Sequence, residues 1–167
     1  MSLIFLIGYM GCGKSTLAKK LASKLSFEWL DTDAFIEKQE GLTISQIFTT
    51  HGESYFRSLE LKLIQSIDVT IPTVISTGGG LPCFNNLMEQ LNGKGTTIYL
   101  ERSPKELFQR LNQGKSKRPL IANKSDEELL RFIEENLVER NPIYRQSKYI
   151  LDRDYQTVDK IINLLNQ

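Results

Sequence analysis

Residues 8–15 read Gly-Tyr-Met-Gly-Cys-Gly-Lys-Ser, a complete G-x-x-x-x-G-K-S, and the chemistry of that spacing is phosphate binding. Gly8 and Gly13 allow backbone angles closed to other residues, so successive N–H groups turn inward around an anion. Lys14 then reaches the β- and γ-phosphates of a nucleotide, and Ser15 offers its hydroxyl to Mg²⁺. The apolar run Leu3–Ile7 precedes the loop. Leu17, Ala18, Leu21, Ala22 and Leu25 follow at helical spacing, which predicts a helix over Ser15 to Leu25 with its positive end aimed at the phosphates.

Other residue groups carry the rest of a phosphoryl-transfer chemistry, which needs a metal, an oriented acceptor hydroxyl and positive charge on the moving group. Asp31 and Asp33 stand two apart after a short apolar strand. On an ideal strand they would share one face, one binding Mg²⁺ and the other accepting the hydroxyl proton. Thr73–Thr77 lacks the Asp that ordinarily ends a metal-binding strand beside such a loop, so the Asp31/Asp33 pair must fill that role. Either acid alone is also a favoured helix N-cap. Arg57 lies three residues before Glu60, so the two can meet on one helical face as an ion pair. That pair either ends there or holds the Arg57 fork rigid toward a carboxylate on the acceptor. Arg118 sits in a basic, aperiodic stretch and is either a solvated charge or a cation that closes over the transferring phosphate. Gly78-Gly79-Gly80 ends a β-branched run in a backbone-exposing turn, a second anion nest.

The elements that must position these groups follow from periodicity and caps. Phe27 to Leu30, Thr73 to Thr77, Thr96 to Leu100 and Tyr149 to Leu151 read as strands. Thr43-Ile-Ser-Gln46, Ser103-Pro-Lys-Glu106 and Ser125-x-x-Glu128 are capping boxes that open helices ending near Gly52, Gly114 and Arg140. Glu53 to Ser66 and Thr157 to Leu165 read as further amphipathic helices, the last on Val158, Ile161, Ile162 and Leu165. Alternating βα units predict a parallel sheet with helices on both faces. At 167 residues and 40% hydrophobic content, one domain over residues 1–167 is expected. No internal repeat or linker composition divides it.

Lys+Arg 21 against Asp+Glu 20 leaves a formal charge of +1, which provides no basic field for nucleic acid. A small-molecule partner is expected instead. Two cysteines do not make a disulfide scaffold, and an apolar run of five residues is too short for a signal peptide or a membrane span. The expectation is a protein of the reducing cytoplasm that contacts no membrane.

Taken together, Gly8–Ser15, Asp31-Thr-Asp33, Phe56-Arg57-x-x-Glu60, Gly78-Gly79-Gly80, Arg118-Pro-Leu120 and Arg140-Asn-Pro-Ile-Tyr144 resemble the shikimate kinase family, relatives of the nucleoside monophosphate kinases. The resemblance runs from the phosphate loop to the last strand. It implies a three-layer αβα P-loop fold with a five-stranded parallel sheet ordered 2-3-1-4-5, a substrate-binding segment at about residues 33–62 and a mobile lid at about 112–125. It implies ATP-dependent phosphorylation of the shikimate 3-hydroxyl, on the route to chorismate and aromatic amino acids, with Mg²⁺, by a monomer.

By the same resemblance, Lys14, Asp33 and Arg118 are catalytic, Asp33 holding ring hydroxyls as base or orienter. ATP falls to Gly11, Cys12, Gly13, Lys14, Ser15, Thr16, Arg110, Arg118 and Arg153, with Arg110 or Arg153 on the adenine. The acceptor falls to Asp33, Arg57, Gly78, Gly79, Gly80 and Arg140, with Glu60 behind Arg57 and Phe48 and Phe56 as apolar walls. Ser15 and Asp31 face the metal. The competing readings are a gluconate or nucleotide kinase of the same architecture, and a nucleotide-binding regulator without catalysis. A nucleotide acceptor offers a phosphate and a base, whereas two arginines and a triple glycine suit a compact carboxylated polyol.

Two residues are assigned to structure, and a third is left open. His51 suits the exposed carbonyls of a helix end, and Trp29 is expected in the core. Cys12 lies beside Lys14 and a helix N-terminus, conditions that activate a thiol; a small inert side chain is the other reading.

Overall fold

The computed structural model describes residues 3–115, 118 and 120–166. Its strands are β1 (Leu3–Ile7), β2 (Glu28–Asp31), β3 (Thr73–Ser76), β4 (Thr96–Leu100) and β5 (Tyr149–Leu151). All pair in parallel in the order β2-β3-β1-β4-β5, as expected. Central β1 is buried at every position, which is what an all-apolar strand covered on both faces requires.

The helices are α1 (Lys14–Leu25), α2 (Thr32–Glu40), α3 (Ile44–His51), α4 (Glu53–Ser66), α5 (Leu87–Lys94), α6 (Pro104–Asn112), α7 (Asp126–Tyr144) and α8 (Val158–Leu165). All three predicted capping boxes form, with Thr43, Ser103 and Ser125 each bonded reciprocally to the Gln or Glu three residues on. The main core runs along the sheet and under α1, α5, α6 and α7. A smaller one, Ile36, Ile47, Phe56 and Leu63, joins α2, α3 and α4. The stretch around residue 33–62 thus has its own apolar anchor.

Four expectations change. α2 was not foreseen: Asp31 ends β2 and caps α2, its side chain accepting from Ala34 N–H, so Asp33 lies in a helical turn and shares no strand face with Asp31. α5 was also missed. α7 runs past Arg140 to Tyr144 with Pro142 inside it; the lost N–H would have met the carbonyl of Val138, which is 76% exposed and open to water. Trp29 is 41% exposed, because β2 is an edge strand, and the Lys19 ammonium lies over its ring at 5.7 Å.

Candidate active site

Every candidate group lies at the carboxyl ends of the parallel strands, where open α/β sheets bind ligands. After β1, Gly13 takes φ 98° as the N-cap of α1, a left-handed backbone that a side chain would resist. Lys14 is buried and donates to Gly8 O at 2.7 Å and Tyr9 O at 2.9 Å. Its amine therefore sits inside the loop, where a phosphate would compete with those carbonyls for its protons. Cys12 is 3% exposed and belongs to the main core. Its Sγ also accepts from the Lys14 amine at 3.6 Å, so burial speaks for the inert reading of the thiol and the neighbouring cation for the activated one.

The three residues Asp31, Thr32 and Asp33 point three ways. Asp31 faces Ser76 in the register of β2 on β3, and its Oδ2 accepts from Ser15 Oγ at 2.6 Å and Ser76 Oγ at 2.9 Å. The buried Thr32 hydroxyl accepts from Gly78 N–H at 2.8 Å. Asp33 meets the glycine turn so closely that a Cβ on Gly78 would stand 2.6 Å from its Oδ1. Burial, then the neighbouring Asp31 carboxylate, raise the Asp33 carboxyl from 3.8 to about 6, against the opposing pull of Lys14 and Arg57.

Arg57 projects from α4 and is held at Nη1 by Glu60 (2.7 Å) and at Nε and Nη2 by Glu53 (3.3 and 3.2 Å). Three of its five N–H donors are thereby used. One remains on each terminal nitrogen, a pair that matches the two oxygens of a carboxylate. Glu60 is 1% exposed, and its Oε1 has no partner. Burial raises its carboxyl from 4.5 to about 7, although the Arg57 guanidinium pulls the other way. A Cβ on Gly80 would fall 2.7 Å from Arg57 Nη2, so a side chain there would have to displace this cation. Arg140 reaches the same turn, 3.6 Å from where a Gly79 Cβ would be, and Tyr144 OH donates to Gly79 O.

Two clefts result. One of about 340 Å³ is lined by Gly11, Gly13, Lys14, Ser15, Thr16, Asp31, Arg110 and Arg118. The other, of about 290 Å³, is lined by Ile44, Phe48, Phe56, Arg57, Glu60, Gly80, Leu120 and Arg140. Met10, Asp33, Gly78, Gly79 and Arg118 border both. Phe48 and Phe56 stack at 5.0 Å as one apolar wall. Of the two candidates for adenine, Arg110 hangs over the phosphate loop, with Nη2 3.2 Å from where a Gly13 Cβ would be. Arg153 instead lines a separate hollow with Arg102, Glu106 and Asp154, and the structure does not bring the two together.

Within the segment expected to act as a lid, Arg118 is exposed, while Ser116, Lys117 and Pro119 lie outside the described residues. Sequence reasoning missed Thr32, Ser76 and Met10. Thr32 was legible in principle, as the residue between two functional acids; Ser76 needed the strand register, and Met10 the loop geometry. Ser15 and Asp31 offer a hydroxyl and a carboxylate side by side, and no cluster of three metal-ligating acids, histidines or cysteines occurs among the described residues. That donor set fits Mg²⁺, which takes one or two protein oxygens and completes its shell with water and phosphate.

A phosphate loop on a 2-3-1-4-5 parallel sheet, sharing an acid with a cleft walled by arginines, defines a P-loop phosphotransferase with a small anionic acceptor. Residues 10–167 match the sequence profile of the shikimate kinase family. A shikimate kinase of Phocaeicola vulgatus is 47% identical over 154 residues, covering 92% of this chain and 88% of that protein. The crystal structure of shikimate kinase from Bacteroides thetaiotaomicron superposes with a TM-score of 0.93 at 39% identity, over 99% of each chain. Shikimate kinase from Acinetobacter baumannii in complex with shikimate gives 0.85 at 33% identity, over 99% of this chain and 93% of that one. The chain belongs to the shikimate kinase family.

Proposed function

We propose that this protein transfers the γ-phosphoryl group of ATP to the 3-hydroxyl of shikimate, giving shikimate 3-phosphate and ADP on the route to aromatic amino acids. The observation that carries the reading is Asp33, a half-buried acid on the border of both clefts. ATP lies with its phosphates along Gly11–Thr16, and shikimate lies against Phe48 and Phe56. Its carboxylate bonds to the two remaining donors of Arg57, to Arg140 and to the amides of Gly79 and Gly80. Glu60 keeps Arg57 in place.

The acceptor oxygen attacks the γ-phosphorus as the bond to the ADP oxygen breaks. Its proton passes to Asp33, which is ionised above about pH 6 yet more basic than an exposed carboxylate. Lys14 and Arg118 balance the charge on the moving group. Ser15 and Asp31 would hold Mg²⁺, which would supply further neutralisation of the phosphates. The segment at about residues 112–125, of which Ser116, Lys117 and Pro119 lie outside the described residues, serves as the lid that excludes the water that would hydrolyse ATP; residues 33–62 form the acceptor-binding segment of one domain. No described helix is long and apolar enough to cross a membrane, and a monomer in the cytoplasm is the setting proposed.

A coupled ADP-release assay with shikimate, gluconate and nucleoside monophosphates as acceptors tests this reading. Turnover that depends on shikimate alone supports it. Faster release with gluconate or a nucleotide, or none with any acceptor, overturns it in favour of another kinase or a nucleotide-binding regulator.

A further inference from the structure

Phe84 lies with its ring centroid 3.9 Å from the guanidinium carbon of Arg57. Phe84 is 37% exposed and is not a core residue. The backbone beside it takes an unusual shape. Asn85 and Asn86 both take left-handed angles, φ 52° and 53°, a pair of conformations that residues other than glycine adopt at a cost.

Hydrogen bonds hold the turn, among them Leu87 N–H to Phe84 O at 2.9 Å, Gln90 Nε2 to Asn85 O at 3.2 Å, Asn86 Nδ2 to Glu89 and, last, Asn85 Nδ2 to Arg57 O at 3.4 Å. The last ties the turn to the residue its neighbour covers. Arg57 is thus bounded by the Phe84 ring, by the Phe56 ring at 5.2 Å, by Gly80 and by two carboxylates.

We propose that Phe84 is a positioning residue for acceptor recognition: aimed by the Asn85–Asn86 turn, its ring holds the Arg57 guanidinium flat so that both remaining donors face the acceptor's carboxylate. An arginine without this platform spreads over more rotamers and loses that geometry. The proposal rests on the reading that Arg57 binds the shikimate carboxylate, and it adds a specificity element outside the cleft lining.

Steady-state kinetics of Phe84→Leu, Phe84→Tyr, Arg57→Ala and the double variant Phe84→Leu/Arg57→Ala form the test, with thermal unfolding of each. Phe84→Leu is expected to raise KM for shikimate about three- to tenfold, with kcat and KM for ATP held within about twofold. Phe84→Tyr retains the ring face and should keep KM within about twofold of the parent. In the Arg57→Ala background, Phe84→Leu should change KM by less than about twofold, because a residue acting only through Arg57 has nothing left to position.

The proposal fails if Arg57→Ala raises KM while Phe84→Leu leaves it unchanged, or if Phe84→Leu carries its full effect without Arg57; the reading of Arg57 survives both results. An unchanged KM in Arg57→Ala overturns that reading and the proposal with it. Should Phe84→Leu not fold, Phe84→Met takes its place in the same cycle. A lowered unfolding temperature with unaltered KM counts against positioning.

Discussion

Replacing Glu60 by Gln separates the charge of this buried side chain from its hydrogen bond. The carboxyl is 1% exposed, bonds Arg57 through Oε2 and leaves Oε1 without a partner. Burial raises it from 4.5 to about 7. A carboxyl that holds its proton more tightly when folded stabilises the fold while protonated, and that contribution is lost as pH rises through the folded value. The window therefore opens near 4.5 and closes near 7. About 2.5 pH units at about 1.36 kcal/mol each amount to a loss of about 3 kcal/mol. Gln still offers Arg57 an acceptor and does not titrate. Its unpartnered amide carries a constant cost of about 1–3 kcal/mol, so slopes and not absolute stabilities carry the comparison. Urea unfolding of both proteins from about pH 5 to about pH 8 should show the variant gaining about 2.5 kcal/mol relative to the parent across that range, the remainder lying below pH 5. Asp33 titrates in both proteins, and since its carboxylate is one of the charges that raise Glu60, the difference includes that coupling. Parallel profiles would refute the argument that this charge is held against burial.

On the proposed reading Asp33 takes the acceptor proton and must be ionised to do so, so kcat/KM for shikimate should fall on the acid side with a midpoint near 6, as a pH-rate profile would register. Asp33→Asn should abolish that limb and lower kcat by roughly 10²–10⁴, and a loss below about tenfold would mean that Asp33 orients without accepting the proton. Thr32→Val leaves the Gly78 N–H buried without an acceptor, which should cost about 1–3 kcal/mol in urea unfolding and raise KM for shikimate, while Thr32→Ser retains both; a neutral Thr32→Val would sink the idea that this hydroxyl holds the turn. Cys12 should resist iodoacetamide in the native protein and react only after unfolding, as peptide mass mapping would reveal. Its rapid native modification would contradict the burial of the loop thiol.

The legible parts of the chain were those with local chemistry. The phosphate loop, three capping boxes and the strands β3, β4 and β5 depend on neighbours in sequence, and each was placed to within a residue or so. α2 was hidden because it buries only Thr32 and Ile36, too few positions for a helical period, and because Asp31 fits both a strand end and an N-cap. α5 left a fainter trace in Leu87, Met88 and Leu91, all buried, whose spacing is helical but short. Trp29 misled because hydrophobicity does not tell an edge strand from a central one; the order of strands does. In the site, the residue types and spacing of Lys14, Asp31, Asp33 and Arg57 pointed to the chemistry proposed for them, whereas Arg140 entered only through the family resemblance. Thr32, Ser76 and Phe84 did not, since each acts on a partner 27 to 46 positions away, a relation that only the folded chain contains.

The most direct test of the account is the fate of the phosphoryl group. ³¹P–¹H correlation NMR of a reaction containing ATP, Mg²⁺ and shikimate should reveal one phosphomonoester coupled to the proton on C3, accumulating in step with ADP. ADP and inorganic phosphate appearing while shikimate stays unmodified would contradict the claim that the two clefts meet at Asp33 to serve a single transfer.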